Sequence, residues 1–413
     1  MQNDSFIGPL VTAEDERLSS DDDIQHILNT LRTHLNMDVA FISEFRGGER
    51  RIRAVDSDES SPDLQPGDSH LLQESYCHFI AQGELPPIID HARENPKTRS
   101  MAVTEELDIA SYIGVPIELP DGSVFGTFCC FDHLPGAALN DRDLSILKAF
   151  ADFTGRIIGD RESKEQDYLA ARKQVLRIIN ERLTEMVFQP IYHMREQRIV
   201  GLEALCRFRI EPRQPPDVWF ERAREVGLGK ELELMVMRQA LEAIEQIPDS
   251  LYLSLNVSPE YLLSGATLEL LDAYAPNRVL IEITEHARIT DYERLRQALA
   301  PLRDKGFQVA VDDAGAGYAN FQHILELNAD AIKLDVTLIR NIHTDINRRA
   351  LAASLIRFAE ITETRVIAEG VESKSELDEL RKLGVDKVQG FYIGRPCQLA
   401  EALLRLDSPW PEH

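Results

Sequence analysis

Residues 308–335 read Gln-Val-Ala-Val-Asp-Asp-Ala-Gly-Ala-Gly-Tyr-Ala-Asn-Phe-Gln-His-Ile-Leu-Glu-Leu-Asn-Ala-Asp-Ala-Ile-Lys-Leu-Asp. A short apolar run closes on two acids. A glycine-punctuated loop and an amphipathic stretch follow, and a second apolar run carries a lysine and closes on another acid. Runs of this kind recur at 187–192, 199–205, 251–257, 279–283, 308–312, 331–335, 365–369 and 387–391. Continuous apolar runs mark strands buried on both faces, and helical stretches between them mark parallel crossovers. Eight such strands predict an α/β fold, a (β/α)8 TIM-like barrel. The first two runs are joined only by His193 to Arg198, too short for a helical crossover, so that pair is expected to be antiparallel.

Working outward, the N-terminal third has a different rhythm. Residues 1–18 are polar and acid-rich and read as a flexible tail, with Ser19-Ser20-Asp21-Asp22-Asp23 as a helix cap. Ile24, Ile27, Leu28, Leu31 and Leu35 then follow a helical period. Strands are expected at 39–45, 51–55, 113–117 and 125–131, the last two joined by the turn Pro120-Asp121-Gly122. This predicts an α+β domain over 19–160. The segment 144–185 is helical throughout, interrupted in its apolar stripe by the polar run 161–167. It fits either two helices end to end or one long connector in a parallel dimer.

The composition of the 413 residues narrows the partners. A net charge of −25 repels phosphodiester polymers and anionic lipid, so neither DNA nor RNA polymer binding is expected. No apolar run is long enough to insert in a membrane, and Met1–Glu16 lacks a signal-peptide pattern, which reads as a cytoplasmic protein. The five cysteines are too scattered for a disulfide scaffold or a zinc cluster. Cys77-His78 is read as a buried thiol beside a polar histidine, and Cys129-Cys130 as core packing on opposite strand faces. The stretch around Leu232, Met235 and Met237 is read as ordinary amphipathic packing.

The chemistry lies at the barrel strand ends: Glu203, Asn256, Glu282 with Glu285, Asp312-Asp313, Lys333 with Asp335, Glu369 with Glu372, and Gln389. In a barrel these converge on one mouth. Carboxylates packed so closely resist ionisation unless a cation lies among them. Oxygen donors alone suit Mg2+ or Mn2+ rather than zinc. The number of acids points to two ions bridged by one aspartate, an arrangement suited to in-line displacement at phosphorus. Lys333, beside the metals, is expected to have a depressed pKa and to position the attacking water.

Two resemblances follow from these motifs. The phrase YIGVPIELPDGSVFGTFCCFD (112–132), in its helix–strand setting, resembles the GAF family of small-molecule sensor domains, whose members bind a nucleotide, a chromophore, haem or another small molecule, or nothing; the sequence does not identify which. Glu203-Ala204-Leu205-Cys206-Arg207 resembles the signature of the EAL family of cyclic di-GMP phosphodiesterases over 168–410. It is joined in order by Phe188-Gln189-Pro190-Ile191, Asn256-Val257-Ser258, Glu282-Ile283-Thr284-Glu285, Asp312-Asp313, Lys333-Leu334-Asp335, Ala368-Glu369-Gly370-Val371-Glu372 and Gln389-Gly390-Phe391. The resemblance implies that Glu203, Asn256, Glu282 and Asp312 hold one metal, with Asp312, Asp313 and Glu369 at a second. Lys333, Glu369 and Gln389 would be catalytic, and Gln189, Leu205 and Arg207 would contact substrate. Glu285, Asp335 and Glu372 would support the metal ligands. It further implies a homodimer that hydrolyses cyclic di-GMP to linear pGpG under control of the N-terminal domain. A non-catalytic cyclic di-GMP receptor is the alternative. Ala314 and Ala316 depart from the family's usual loop, which bears on regulation and rate.

Overall fold

The computed structural model describes residues 13–58, 64–136, 139–283, 291–315 and 324–406. The chain divides into two compact units, Met1–Asp167 and Tyr168–His413.

In the first unit, helix α1 (Ala13–Leu35) precedes strands β1 (Val39–Arg46), β2 (Glu49–Ser57) and β3 (Ser69–Leu71). Helix α2 (Tyr76–Ala81), β4 (Ile88–Ile89), helix α3 (Ala102–Glu106), β5 (Ser111–Glu118) and β6 (Val124–Asp132) complete it, with the start of α4 (Asp141–Glu181). The antiparallel sheet has the order β3-β2-β1-β6-β5-β4. Strand alternation sends Ile42, Phe128 and Cys130 to a core shared with Leu28 and Leu31 of α1 and Leu147 of α4. Phe41, Cys129 and Phe131 go to the other face, against Tyr76, Cys77 and Ile80 of α2. One feature corrects the sequence reading. Helix α1 starts at Ala13, upstream of the expected cap: Ala-Glu-Asp-Glu-Arg-Leu (13–18) favours helix, and acids suit its N-terminal turn. Of the two arrangements open for the connecting segment, residues 141–181 take the single-helix one, because nothing in the polar run 161–167 breaks a helix.

The second unit is a closed barrel of β7 (Thr184–His193), β8 (Arg198–Phe208), β9 (Tyr252–Val257), β10 (Val279–Ile283), β11 (Gln308–Ala314), β12 (Ala331–Leu334), β13 (Arg365–Ala368) and β14 (Lys387–Val388). Strands β7 and β8 are antiparallel, as their short connection requires, and β14 meets β7 antiparallel; the other pairs are parallel. Helices α5 (Pro216–Glu225), α6 (Gly229–Glu242), α7 (Pro259–Leu263), α8 (Ala266–Leu271) and α9 (Tyr292–Asp304) follow in the first half of the barrel. Outward-facing strand residues such as Leu253, Ile281, Val309 and Ile332 pack on the helices.

The inward-facing residues position the site. Ile191, Val200, Leu280, Ala310, Ala331 and Ile367 form a dry layer inside the barrel. Two residues further along their strands, on the same face, stand Glu282, Asp312, Lys333 and Glu369. The period of two thus lifts one polar tier above an apolar floor, at the barrel's C-terminal mouth.

Candidate active site

The expected site residues stand one tier inside the mouth rather than strictly at strand ends. Glu203 is mid-strand in β8, and Glu282 and Lys333 each precede one further strand residue. Consequently they are buried. The Lys333 ammonium lies 2.6 Å from Glu369, 2.8 Å from Glu282, 3.2 Å from Asp312 and 3.5 Å from Glu203. Burial opposes its charge, but the four carboxylates outweigh burial and hold its pKa well above the ordinary lysine range. Here the anions, not desolvation, dominate; the depression expected from the sequence supposes metal ions beside the ammonium.

The acids divide by their hydrogen bonds. Glu203 is buried, yet Lys333 and donors from Gln389 and Asn256 hold it below the usual carboxylate range. Its Oε1 accepts from Asn256 Nδ2 at 3.0 Å, and its Oε2 accepts from Gln389 Nε2. Glu282 and Glu369 are pushed well up, first by burial and then by the neighbouring acids, which Lys333 only partly offsets. One ammonium therefore does not neutralise the tier. Carboxylate oxygens of Asp312, Asp313 and Glu369 also lie within 4.8 Å of one another. A cluster built of oxygen donors alone fits a hard divalent cation. Asp313 reaches this group from a left-handed backbone, φ 52°, a conformation that aspartate tolerates.

Gln389 Nε2 also donates to Gln189 Oε1 at 3.0 Å, and Gln189 Nε2 donates to the Gly394 carbonyl at 3.0 Å. A cavity of about 280 Å³ opens above these groups, bounded also by Leu205, Glu372 and Phe391. Two expected residues stand elsewhere. Arg207 lies off the cavity wall, further out along β8, and its Nη1 donates to the Cys206 carbonyl at 2.8 Å. Asp335 caps the short helix Val336–Ile339, accepting from Thr337 N at 2.8 Å. Glu372 accepts from Arg340 at 3.1 Å. Ala314 is buried and closes β11, whereas Glu285 and Ala316 fall outside the described residues.

Sequence reasoning missed three supports. Ser254, two residues before Asn256, donates its hydroxyl to Glu282 Oε1 at 2.5 Å. Glu233, inside the apolar stripe of α6, accepts from Ser258 N at 2.8 Å and from its hydroxyl at 2.5 Å, tying α6 to the end of β9. An acid flanked by Leu232 and Leu234 was the available signal. Phe391 presents a ring that is 47% exposed at the cavity rim, with the Arg395 guanidinium 4.2 Å from its centroid. An exposed aromatic at a rim is a surface on which a flat base can stack.

Family models match in both units: the EAL domain over residues 172–396 and the GAF domain over 21–158. Among curated relatives, an uncharacterized signaling protein of Caulobacter vibrioides is 27% identical over 306 residues, covering 71% of this chain and 36% of its own length. The cyclic di-GMP phosphodiesterase PdeF of Escherichia coli is 29% identical over 234 residues, covering 54% of this chain and 31% of its own. The chain thus spans about a third of the length of these relatives. Among solved structures, an EAL domain protein of Listeria monocytogenes is 24% identical with a TM-score of 0.51, covering 57% of this chain and 96% of its own. The EAL enzyme Bd1971 is 17% identical with a TM-score of 0.55, covering 90% and 93%. Both share the fold. No helix among the described residues is long and apolar enough to cross a membrane.

Proposed function

The chain belongs to the EAL domain family, and we propose that its barrel is a cytoplasmic phosphodiesterase that hydrolyses cyclic di-GMP to linear 5'-pGpG. The observation that carries this reading is the tier of Glu203, Glu282, Asp312 and Glu369 around Lys333 under an open cavity. That E. coli PdeF, alike over 54% of this chain, bears the name of a cyclic di-GMP phosphodiesterase supports the substrate.

The chemistry is water adding across one phosphorus–oxygen bond. Hydroxide joins phosphorus, the ribose 3'-oxygen leaves, and that oxygen gains the proton. An anionic phosphodiester meets a mouth already rich in carboxylates, so the charge of the site has to be inverted before substrate binds. Glu203, Asn256, Glu282, Asp312, Asp313 and Glu369 would hold Mg2+ or Mn2+, two ions in all, which supply that positive charge and activate water. Lys333 holds the attacking water by an N–H bond and steadies the charge that develops on the phosphoryl oxygens. Glu369, 2.6 Å from Lys333, is the carboxylate that would take the proton the water sheds. Gln389, fixed between Gln189 and Glu203, maintains the spacing of the first and last strands. Gln189 and Leu205 contact the substrate from the wall and Phe391 stacks on a guanine, while Arg207, outside the cavity lining, would have to turn from the Cys206 carbonyl to meet a phosphate.

The N-terminal unit regulates this activity through a ligand, and the protein works as a homodimer. Leu169 and Leu176, seven residues apart on α4 and 56% and 36% exposed, supply an apolar seam for pairing two copies. The test is product analysis by anion-exchange chromatography with Mg2+ or Mn2+, with chelator, and with Glu203→Ala. Conversion to pGpG only with the ion and only in the wild type supports the proposal. Tight binding with no product in any condition assigns the barrel to the receptor class instead.

A further inference from the structure

The N-terminal unit holds a pair of sulfurs that the barrel chemistry does not use. Cys77 on α2 and Cys129 on β6 bring their Sγ atoms within 3.8 Å, and both residues are fully buried. Cys130, next in the chain, points to the opposite face of the sheet and into the other core, so the geometry pairs Cys129 with Cys77 alone. Around the two sulfurs runs a polar chain inside an otherwise apolar core. Cys129 donates its S–H to Thr127 Oγ1 at 3.2 Å, Thr127 shares a hydrogen bond with Ser43 at 2.8 Å, and Tyr112 Oη lies 3.5 Å from Cys77 Sγ.

A second, independent observation is Arg50. Its side chain enters the same core from β2 and is 3% exposed, yet its Nε and Nη2 have no hydrogen-bond partner among the described residues. The guanidinium lies 5.9 Å from the centroid of Phe41. A buried cation with no carboxylate partner among the described residues is stabilised by a nearby anion. The Cys77 sulfur can become one. Burial opposes its ionisation, but the Cys129 S–H, which turns from Thr127 to the sulfur once Cys77 ionises, and the Arg50 charge lower its pKa well below the ordinary thiol range. His78, next in the chain, has its ring edge-on to Phe79.

We propose that Cys77 and Cys129 are a thiol–disulfide modification site that takes a small peroxide as oxidant. The Cys77 thiolate attacks one peroxide oxygen: an S–O bond forms, the O–O bond breaks, and hydroxide leaves to be protonated to water. Cys129 sulfur then attacks the sulfenic sulfur as its own proton passes to the departing hydroxyl, so an S–S bond forms and a second water leaves. Two thiols lose two electrons, and hydrogen peroxide becomes two waters. Closing the sulfurs from contact to a bond of about 2.05 Å takes a displacement of under roughly 2 Å. Helix α2 has only six residues, so a local opening of this helix supplies both the approach and the access. Arg50 is a positioning residue that stabilises the reactive anion.

The experiment treats the full chain with excess hydrogen peroxide, denatures it, alkylates the remaining thiols and maps peptides without reductant. The expected result is a fall from five free thiols to three, one linked peptide pair carrying Cys77 and Cys129, and full reversal by dithiothreitol. Cys130→Ser leaves the linkage intact, and Cys77→Ser and Cys129→Ser each abolish it. Arg50→Gln slows closure by roughly tenfold at neutral pH through a smaller thiolate fraction, and Arg50→Lys recovers most of the rate. Five free thiols after treatment, a linkage through Cys130, Cys206 or Cys397, or closure of Arg50→Gln at the wild-type rate with Cys77 and Cys129 still linked would each overturn the proposal.

Discussion

The Nζ of Lys333 lies 2.8 Å from Oε2 of Glu282, and neither side chain has more than 1% of its surface exposed. An ion pair in such a place is stable only as part of a larger balance of charge, because each partner has given up its hydration. Here the balance is lopsided: the same ammonium serves Glu369, Asp312 and Glu203 as well. Lys333 is therefore the structural counter-ion shared by the whole tier.

Lys333→Met separates this role from simple packing, since the alkyl stem is kept. Hydrolysis is expected to fall by about 10²–10⁴-fold, the range for losing a positioned proton-handling group. The metal-free variant is expected to lose roughly 3–5 kcal/mol of stability, because buried acids are left without their cation. Calorimetry in chelator and product chromatography read the two effects. A wild-type melting profile would mean that the acids are already neutral without Lys333.

Metal addition makes a related prediction. With Mg2+ or Mn2+ at about 100 times its dissociation constant, the folded state gains about 2.7 kcal/mol, if the unfolded chain does not bind the ion. Asp312→Asn removes a donor shared by both parts of the acid cluster and is expected to erase that gain. Thermal unfolding with and without the ion checks this, and an equal shift in wild type and variant would place the ion elsewhere.

Phe391→Ala tests the stacking surface. Loss of an aromatic platform costs about 1–3 kcal/mol per base, so KM should rise by roughly tenfold or more with kcat nearly unchanged. A fall in kcat at constant KM would instead assign the ring to the reacting geometry.

Gly370→Ala addresses how Glu369 is held. Gly370 has φ +65°, and a Cβ there would come within 2.2 Å of Val336 Cγ2 and 3.2 Å of its Cα. Backbone strain and this contact together displace the loop that carries Glu369. Reduced hydrolysis with a lower melting temperature is expected, and Val336→Ala in the same chain should recover part of the stability. No recovery would show that backbone conformation alone makes the glycine necessary.

The barrel was legible because its strands are buried on both faces and so read as unbroken apolar runs. The tier was legible because Glu282, Asp312, Lys333 and Glu369 interrupt those runs at equivalent positions. What escaped depends on distance in space rather than along the chain. Strands β3 and β4, three and two residues long, are set by pairing with β2 and β5, not by any pattern of their own. How many carboxylates surround Lys333 likewise depends on distances that strand order cannot count. Cys77 and Cys129, 52 positions apart, meet only when α2 folds onto the sheet.

Glu233 gives the pH prediction, because it lies outside the acid tier. Burial pushes its carboxyl up to about 7, against the two hydrogen bonds from Ser258 that favour ionisation. In the unfolded chain the ordinary glutamate value, near 4.5, applies. Below that pH the group is protonated in both states and its contribution is fully present. Between about 4.5 and 7 only the unfolded chain releases the proton, so stability is lost as pH rises, and above about 7 the loss is complete. The whole change is of order 3 kcal/mol. Glu233→Gln keeps an acceptor for Ser258 and cannot ionise, so its melting temperature should gain on the wild type by about 5–10 °C between pH 5 and pH 8. Parallel pH profiles for the two proteins would show that Glu233 is already charged in the fold. In that case Ser258, not burial, would govern its state, and the link between α6 and the strand bearing Asn256 would be an ionic one.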